Sequence, residues 1–148
     1  MSLETIISDA IKTAMREKDR VALDSLRAVK AQILLLQTEA RGAEVTAEQE
    51  IAILQRMIKQ RKDSYEQFTA QGRTDLAEVE EAQSKVIEKF LPKQLSAEEL
   101  ESEIKKIISE TGAESLKDLG KVMGVASKAL AGKSDGKSIS EMVKKLLS

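Results

Sequence analysis

Apolar side chains recur at helical spacing along almost the whole chain. Leu3, Ile7, Ala10 and Ala14 line one segment, and Leu23, Leu26, Val29, Ile33 and Leu36 line a second. RGAEV at residues 41–45 breaks the pattern. Thr46 and Gln49 then match a capping box and open a third helix, with Ile51, Leu54, Ile58, Tyr65 and Phe68 on one face and a stop near Gly72. A fourth helix is predicted from Thr74 or Asp75, with Leu76, Val79, Val86, Ile87 and Phe90 inward. It ends at the single proline, because Pro92 disfavours helical dihedrals at Leu91.

After this boundary the pattern resumes with different punctuation. Ser96 and Glu99 form a second capping box, and Leu95 and Leu100 a hydrophobic staple, at the head of a helix whose inward face is Leu100, Ile104, Ile107 and Ile108. A sixth helix is predicted from about Leu116 towards Leu130, thinned by Gly120 and Gly124. A seventh runs from Ile139 to Leu147, with Ile139, Met142, Val143, Leu146 and Leu147 as its apolar stripe. No strand is needed. The expectation is an all-α chain of two different small helical subdomains, residues 1–91 with about four helices and 92–148 with three or four.

Composition narrows what such a fold can do. The 148 residues hold no cysteine and no histidine, which removes disulfides, thiolate nucleophiles, imidazole bases and the usual zinc ligands together. Only Tyr65, Phe68 and Phe90 are aromatic, so the cores are aliphatic. The longest unbroken apolar run, Ile33 to Leu36, is far short of a membrane span, and MSLETIISD lacks the marks of a signal peptide. A cytoplasmic protein without membrane contact is expected. Carboxylates are abundant, but none stands beside a feature that would raise its pKa, so no acid/base pair is assigned. Arg61, on the apolar stripe of the third helix, is expected to pair across to a carboxylate such as Asp75.

The formal net charge of −1 conceals an uneven distribution. Residues 117–148 carry seven lysines against Asp118, Asp135 and Glu141, a net charge of +4. Within that basic end, AGKSDGKS contains two Gly-Lys-Ser tripeptides, the ending of a phosphate-binding loop. The full motif GxxxxGK[ST] needs a glycine five residues before the second one. Ser127 and Ala131 occupy those positions, so no nucleotide site is assigned. The local reading is that Gly132 ends the sixth helix, Asp135-Gly136 is a turn, and Ser138 caps the seventh helix with Glu141 as its box partner. Lys133 and Lys137 then lie just before a helix N-terminus, where anions such as nucleic-acid phosphates are favoured. Gly120 and Gly124 each cost a helix about 1 kcal/mol relative to alanine. Close packing of another helix, or else close approach of a ligand backbone, is the expected compensation.

KQRKDS, GRTDLA, LPKQLS, GKVMG and GKSDGKS, in this order, closely resemble the YqeY-like family. Its members are similar to the C-terminal helical and tail regions of the B subunit of the aspartyl/glutamyl-tRNA amidotransferase. The resemblance covers essentially the whole chain and implies an all-α fold of two helical subdomains. It departs in one place. Where the family usually shows Pro-Lys-x-Lys-Gly, this chain has Lys128, Ala129, Leu130, Ala131 and Gly132, so two basic residues are absent.

In the amidotransferase the equivalent tail helps recognise the tRNA body, while phosphorylation and amide transfer occur in other domains. The residues those steps need have no counterpart here. The resemblance therefore implies a noncatalytic module that binds the tRNA backbone, with Lys121, Lys128, Lys133 and Lys137 as nucleic-acid-binding residues and no cofactor or metal. A carbon–nitrogen ligase label with glutamine as amide donor would be inherited. Two alternatives are an accessory role beside amidotransferase or synthetase subunits, and a protein-interaction module using the acidic N-terminal surface.

Overall fold

The computed structural model describes residues 2–148. Seven α-helices and no strand occur among the described residues, and the chain forms two compact units, Met1–Leu91 and Pro92–Ser148.

The first unit contains α1 (Leu3–Glu17), α2 (Arg20–Glu39), α3 (Ala47–Ala70) and α4 (Thr74–Glu88). Ser2 and Asp19 cap α1 and α2, and the capping box of Thr46 and Gln49 opens α3, each satisfying an amide that a helix start leaves free. The core is aliphatic: Leu3, Ile7, Leu26, Val29, Ile33, Leu54, Met57, Ile58 and Ile87 are buried together with their neighbours. Gly72, at φ +74°, makes the sharp reversal from α3 to α4.

The far half of that α3–α4 hairpin differs from the sequence expectation. Past Ile58 no residue of α3 is buried; Tyr65 is 36% and Val79 45% exposed. At 24 residues α3 is about 36 Å long, against about 22 Å for the 15 residues of α1, so its distal turns outrun the helices that could cover them. Arg61 also departs from the expected pairing. It reaches the facing helix but bonds Gln83 Oε1 (3.2 Å) and the Met57 carbonyl (3.2 Å). Asp75 is already held by Arg73 through a two-pronged contact of 3.2 and 3.1 Å, and that hydrogen bond keeps its carboxyl below the usual range.

The second unit contains α5 (Ala97–Thr111), a short 3-10 turn (Leu116–Asp118), α6 (Leu119–Ala129) and α7 (Gly136–Leu147). Its own core joins Leu100, Ile104 and Ile107 of α5 to Val122 and Ala126 of α6, Leu130, and Ile139, Val143 and Leu147 of α7. The Ser96–Glu99 capping box starts α5, and its hydrogen bond to the Ser96 amide lowers the Glu99 pKa. The 3-10 turn separates α5 from α6 because Ser115 caps Lys117 and the Asp118 carboxylate accepts the Glu114 amide at 2.9 Å, which lowers the pKa of Asp118.

Candidate nucleic-acid interface

The loop between α6 and α7 carries the doubled Gly-Lys-Ser. Leu130 ends the last turn of α6, the Lys133 amide folds back onto the Leu130 carbonyl (3.0 Å), and Gly132 takes φ +78°, the left-handed region that favours glycine. α7 begins one turn earlier than the sequence indicates. Asp135, not Ser138, is its cap: the backbone there is extended and Oδ1 accepts the Ser138 amide at 3.1 Å. Both residues are competent caps, and aspartate adds a negative charge at the positive end of the helix dipole. Lys137 consequently sits within the first turn of α7 rather than before it.

This arrangement alters how the helix start meets an anion. The Asp135 side chain takes the Ser138 amide, leaving the amides of Asp135, Gly136 and Lys137 without an intrahelical partner and placing a carboxylate beside them. A phosphate here would be held chiefly by lysine side chains.

A segment 38 residues away pins the loop. The Leu95 amide donates to the Lys133 carbonyl at 2.9 Å. Gln94 Nε2 donates to the carbonyls of Pro92 (2.8 Å) and Gly132. Both partners are acceptors, so the nitrogen of the Gln94 amide must face them. LPKQLS therefore acts as a strap across the base of GKSDGKS. Sequence reading notes both motifs without joining them, since nothing local to either announces the other.

The four lysines occupy two places. Lys121 and Lys128, seven residues apart, line one shallow depression on α6 with Gly120, Gly124, Val125 and Ala129. Lys133 projects from the loop and Lys137 from the first turn of α7; all four are exposed. Lys121 has a structural duty as well, because its Nζ donates to the carbonyl of Thr111 at the end of α5 (2.9 Å), where a cation complements the helix dipole. Among the described residues, none of the seven lysines from 117 to 148 has a carboxylate within 4.0 Å.

Gly120 and Gly124 do not serve helix packing. A Cβ added at either position would meet nothing within 4 Å, and both glycines face solvent. No neighbour within the fold offsets their helical cost. Gly120→Ala and Gly124→Ala are each expected to stabilise the protein by about 1 kcal/mol, raising the denaturation midpoint in urea titrations. Destabilisation by either would mean that the backbone is approached more closely than this geometry allows.

Among the described residues no cluster of three or more carboxylates is arranged to hold a metal, and no helix is long and apolar enough to cross a membrane. What the unit presents, among the described residues, is a set of exposed lysines without carboxylate partners, on a shallow face of α6 and on a pinned loop.

The chain is similar to proteins in fungi named "Altered inheritance of mitochondria protein 41, mitochondrial". The relative from Pyrenophora tritici-repentis is 29% identical over 140 residues, covering 93% of this chain and 76% of that protein. The relative from Meyerozyma guilliermondii is 36% identical over 95 residues, 61% of this chain and 46% of that protein. The chain thus spans about half the length of the second relative. A family model described as Yqey-like protein matches residues 4–147, and with nearly every residue inside that match the chain belongs to the Yqey-like protein family.

Proposed function

We propose that the protein is a noncatalytic docking module for folded RNA, whose basic end binds the sugar–phosphate backbone of tRNA through Lys121, Lys128, Lys133 and Lys137. The observation that carries the reading is the absence of any carboxylate within 4.0 Å of those lysines among the described residues. The contrast with α5 supports it. That helix carries Glu98, Glu99, Glu101, Glu103 and Glu110 and pairs Glu101 with its own Lys105 at 3.1 Å, whereas the lysines from 117 onward have no such partner, so the two parts of the unit differ in charge. Exposed cations attract a polyanion and release its counterions on contact.

The ligand would be read by shape and phosphate. No aromatic residue follows Phe90, so the basic end has no platform on which single-stranded bases could stack. Gly120 and Gly124 leave the backbone of α6 bare beside Lys121 and Lys128, which lets a broad phosphate ridge approach closely. A cytoplasmic setting belongs to the same proposal, and the fungal relatives carry a mitochondrial location in their names.

Titration with unfractionated tRNA beside a random-sequence RNA duplex of equal length tests the reading. Tighter binding of tRNA supports it; equal weak binding of both removes the preference for a folded RNA. Retention of amidotransferase or synthetase subunits from lysate after nuclease treatment, with no tRNA bound by the purified protein, would replace it with a protein-docking role beside a glutamine-dependent ligase.

A further inference from the structure

We infer that Lys93 is a fifth phosphate-binding residue of this basic end and that Gln94 is the positioning residue that fixes it against the Lys133 loop. The inference rests on the RNA-docking reading above and extends it to a segment remote in sequence.

The argument begins with the strap. The bond from the Leu95 amide to the Lys133 carbonyl brings two backbones together, and the Gln94 side chain ties a second point, Gly132, to the same segment. Lys93 stands two residues before Leu95. Chain geometry therefore keeps its backbone within about 7 Å of the residue bonded to Lys133. Two cations that are 40 positions apart in the sequence thus flank one short stretch of loop.

Lys93 is also uncommitted. It is exposed, and among the described residues no carboxylate lies within 4.0 Å of it. The carboxylate that feels its charge is that of Glu99, and Glu99 already accepts the Ser96 amide at 3.3 Å in its capping box. The capping hydrogen bond holds the Glu99 carboxylate at the helix start, so the two groups interact through space without forming an ion pair within 4.0 Å.

Gln94 acts through this geometry rather than by touching RNA. Its amide nitrogen serves two carbonyls at once, locking the turn at Pro92 to the turn at Gly132. Without it the loop holding Lys133 and the segment holding Lys93 keep only the Leu95 bond between them. Ordering them would then have to occur on binding, which lowers affinity without changing how many phosphates are met.

The test is a tRNA titration at several salt concentrations with the full chain, comparing wild type, Lys93→Ala, Lys93→Arg, Gln94→Ala and the double variant Lys133→Ala/Lys137→Ala. Removing one phosphate contact should flatten the slope of log K against log salt by about 0.7–0.9, which is about 5–8-fold in affinity at 0.1 M salt. Lys93→Ala is expected to show both changes and Lys93→Arg neither, while Gln94→Ala weakens binding with the wild-type slope. If the double variant flattens the slope and Lys93→Ala does not, the Lys93 assignment is overturned and the docking reading stands. If wild type shows no salt-dependent binding, the docking reading fails and takes this inference with it.

Discussion

Replacing Lys133 and Lys137 together by glutamate is expected to lower tRNA affinity by at least about 25–60-fold at 0.1 M salt, the effect of losing two phosphate contacts. Charge reversal adds repulsion to that loss. The variant should fold normally, which makes the measurement clean. The Lys133 backbone is fixed by the Leu130 carbonyl and the Leu95 amide, so its side chain is free of structural duty. Position 137 lies in the first turn of α7, where an acidic residue interacts favourably with the helix dipole. Unchanged thermal unfolding with lost binding is the expected pair of results. Unchanged binding would detach the loop from the interface and leave the α6 lysines to carry it.

The second large effect is on stability. Ile104→Ala removes a fully buried side chain from the core that α5 shares with α6 and α7. Truncations of this kind cost about 2–5 kcal/mol. A unit of the size of Pro92–Ser148 is stabilised by only roughly 3–9 kcal/mol, so the loss takes most of its margin. Ile87→Ala makes the matching cavity in the first core. Because the cores share no residue, Ile104→Ala is expected to abolish tRNA binding near its lowered melting point while Ile87→Ala retains it at the same temperature. Circular dichroism melts paired with binding measurements check this. Equal loss of binding in both variants would contradict a binding surface confined to the second unit.

The helices were legible because their signals are local. Apolar spacing, the capping boxes at Thr46–Gln49 and Ser96–Glu99 and the turn at Gly72 each act within a few residues, and each appears where the sequence places it. The start of α7 was less legible, since Asp135 and Ser138 are both good caps and the choice depends on whether one more turn of helix can be accommodated. Periodicity identifies a face but not what covers it. Tyr65 and Val79 lie on the inward side of their helices by spacing, yet they are exposed because α3 outruns the core.

The candidate site divides in the same way. Lysine content and the exclusion of a nucleotide loop followed from counting residues. The strap did not, because the bond from Gln94 to Gly132 spans 38 positions and depends on the tertiary fold. The glycines of α6 show the opposite case: their helical cost is visible in the sequence, while the empty space beside them is visible only in the structure.

The central claim is that the basic end of the second unit holds RNA phosphates, and the wild-type affinity for tRNA as a function of salt tests it most directly. Four or five phosphate contacts predict a slope of log K against log salt of about −3 to −4.5. Between 50 and 200 mM salt the affinity should then fall by roughly 60- to 500-fold. A slope near zero, or no measurable binding at the lower salt, would contradict the account.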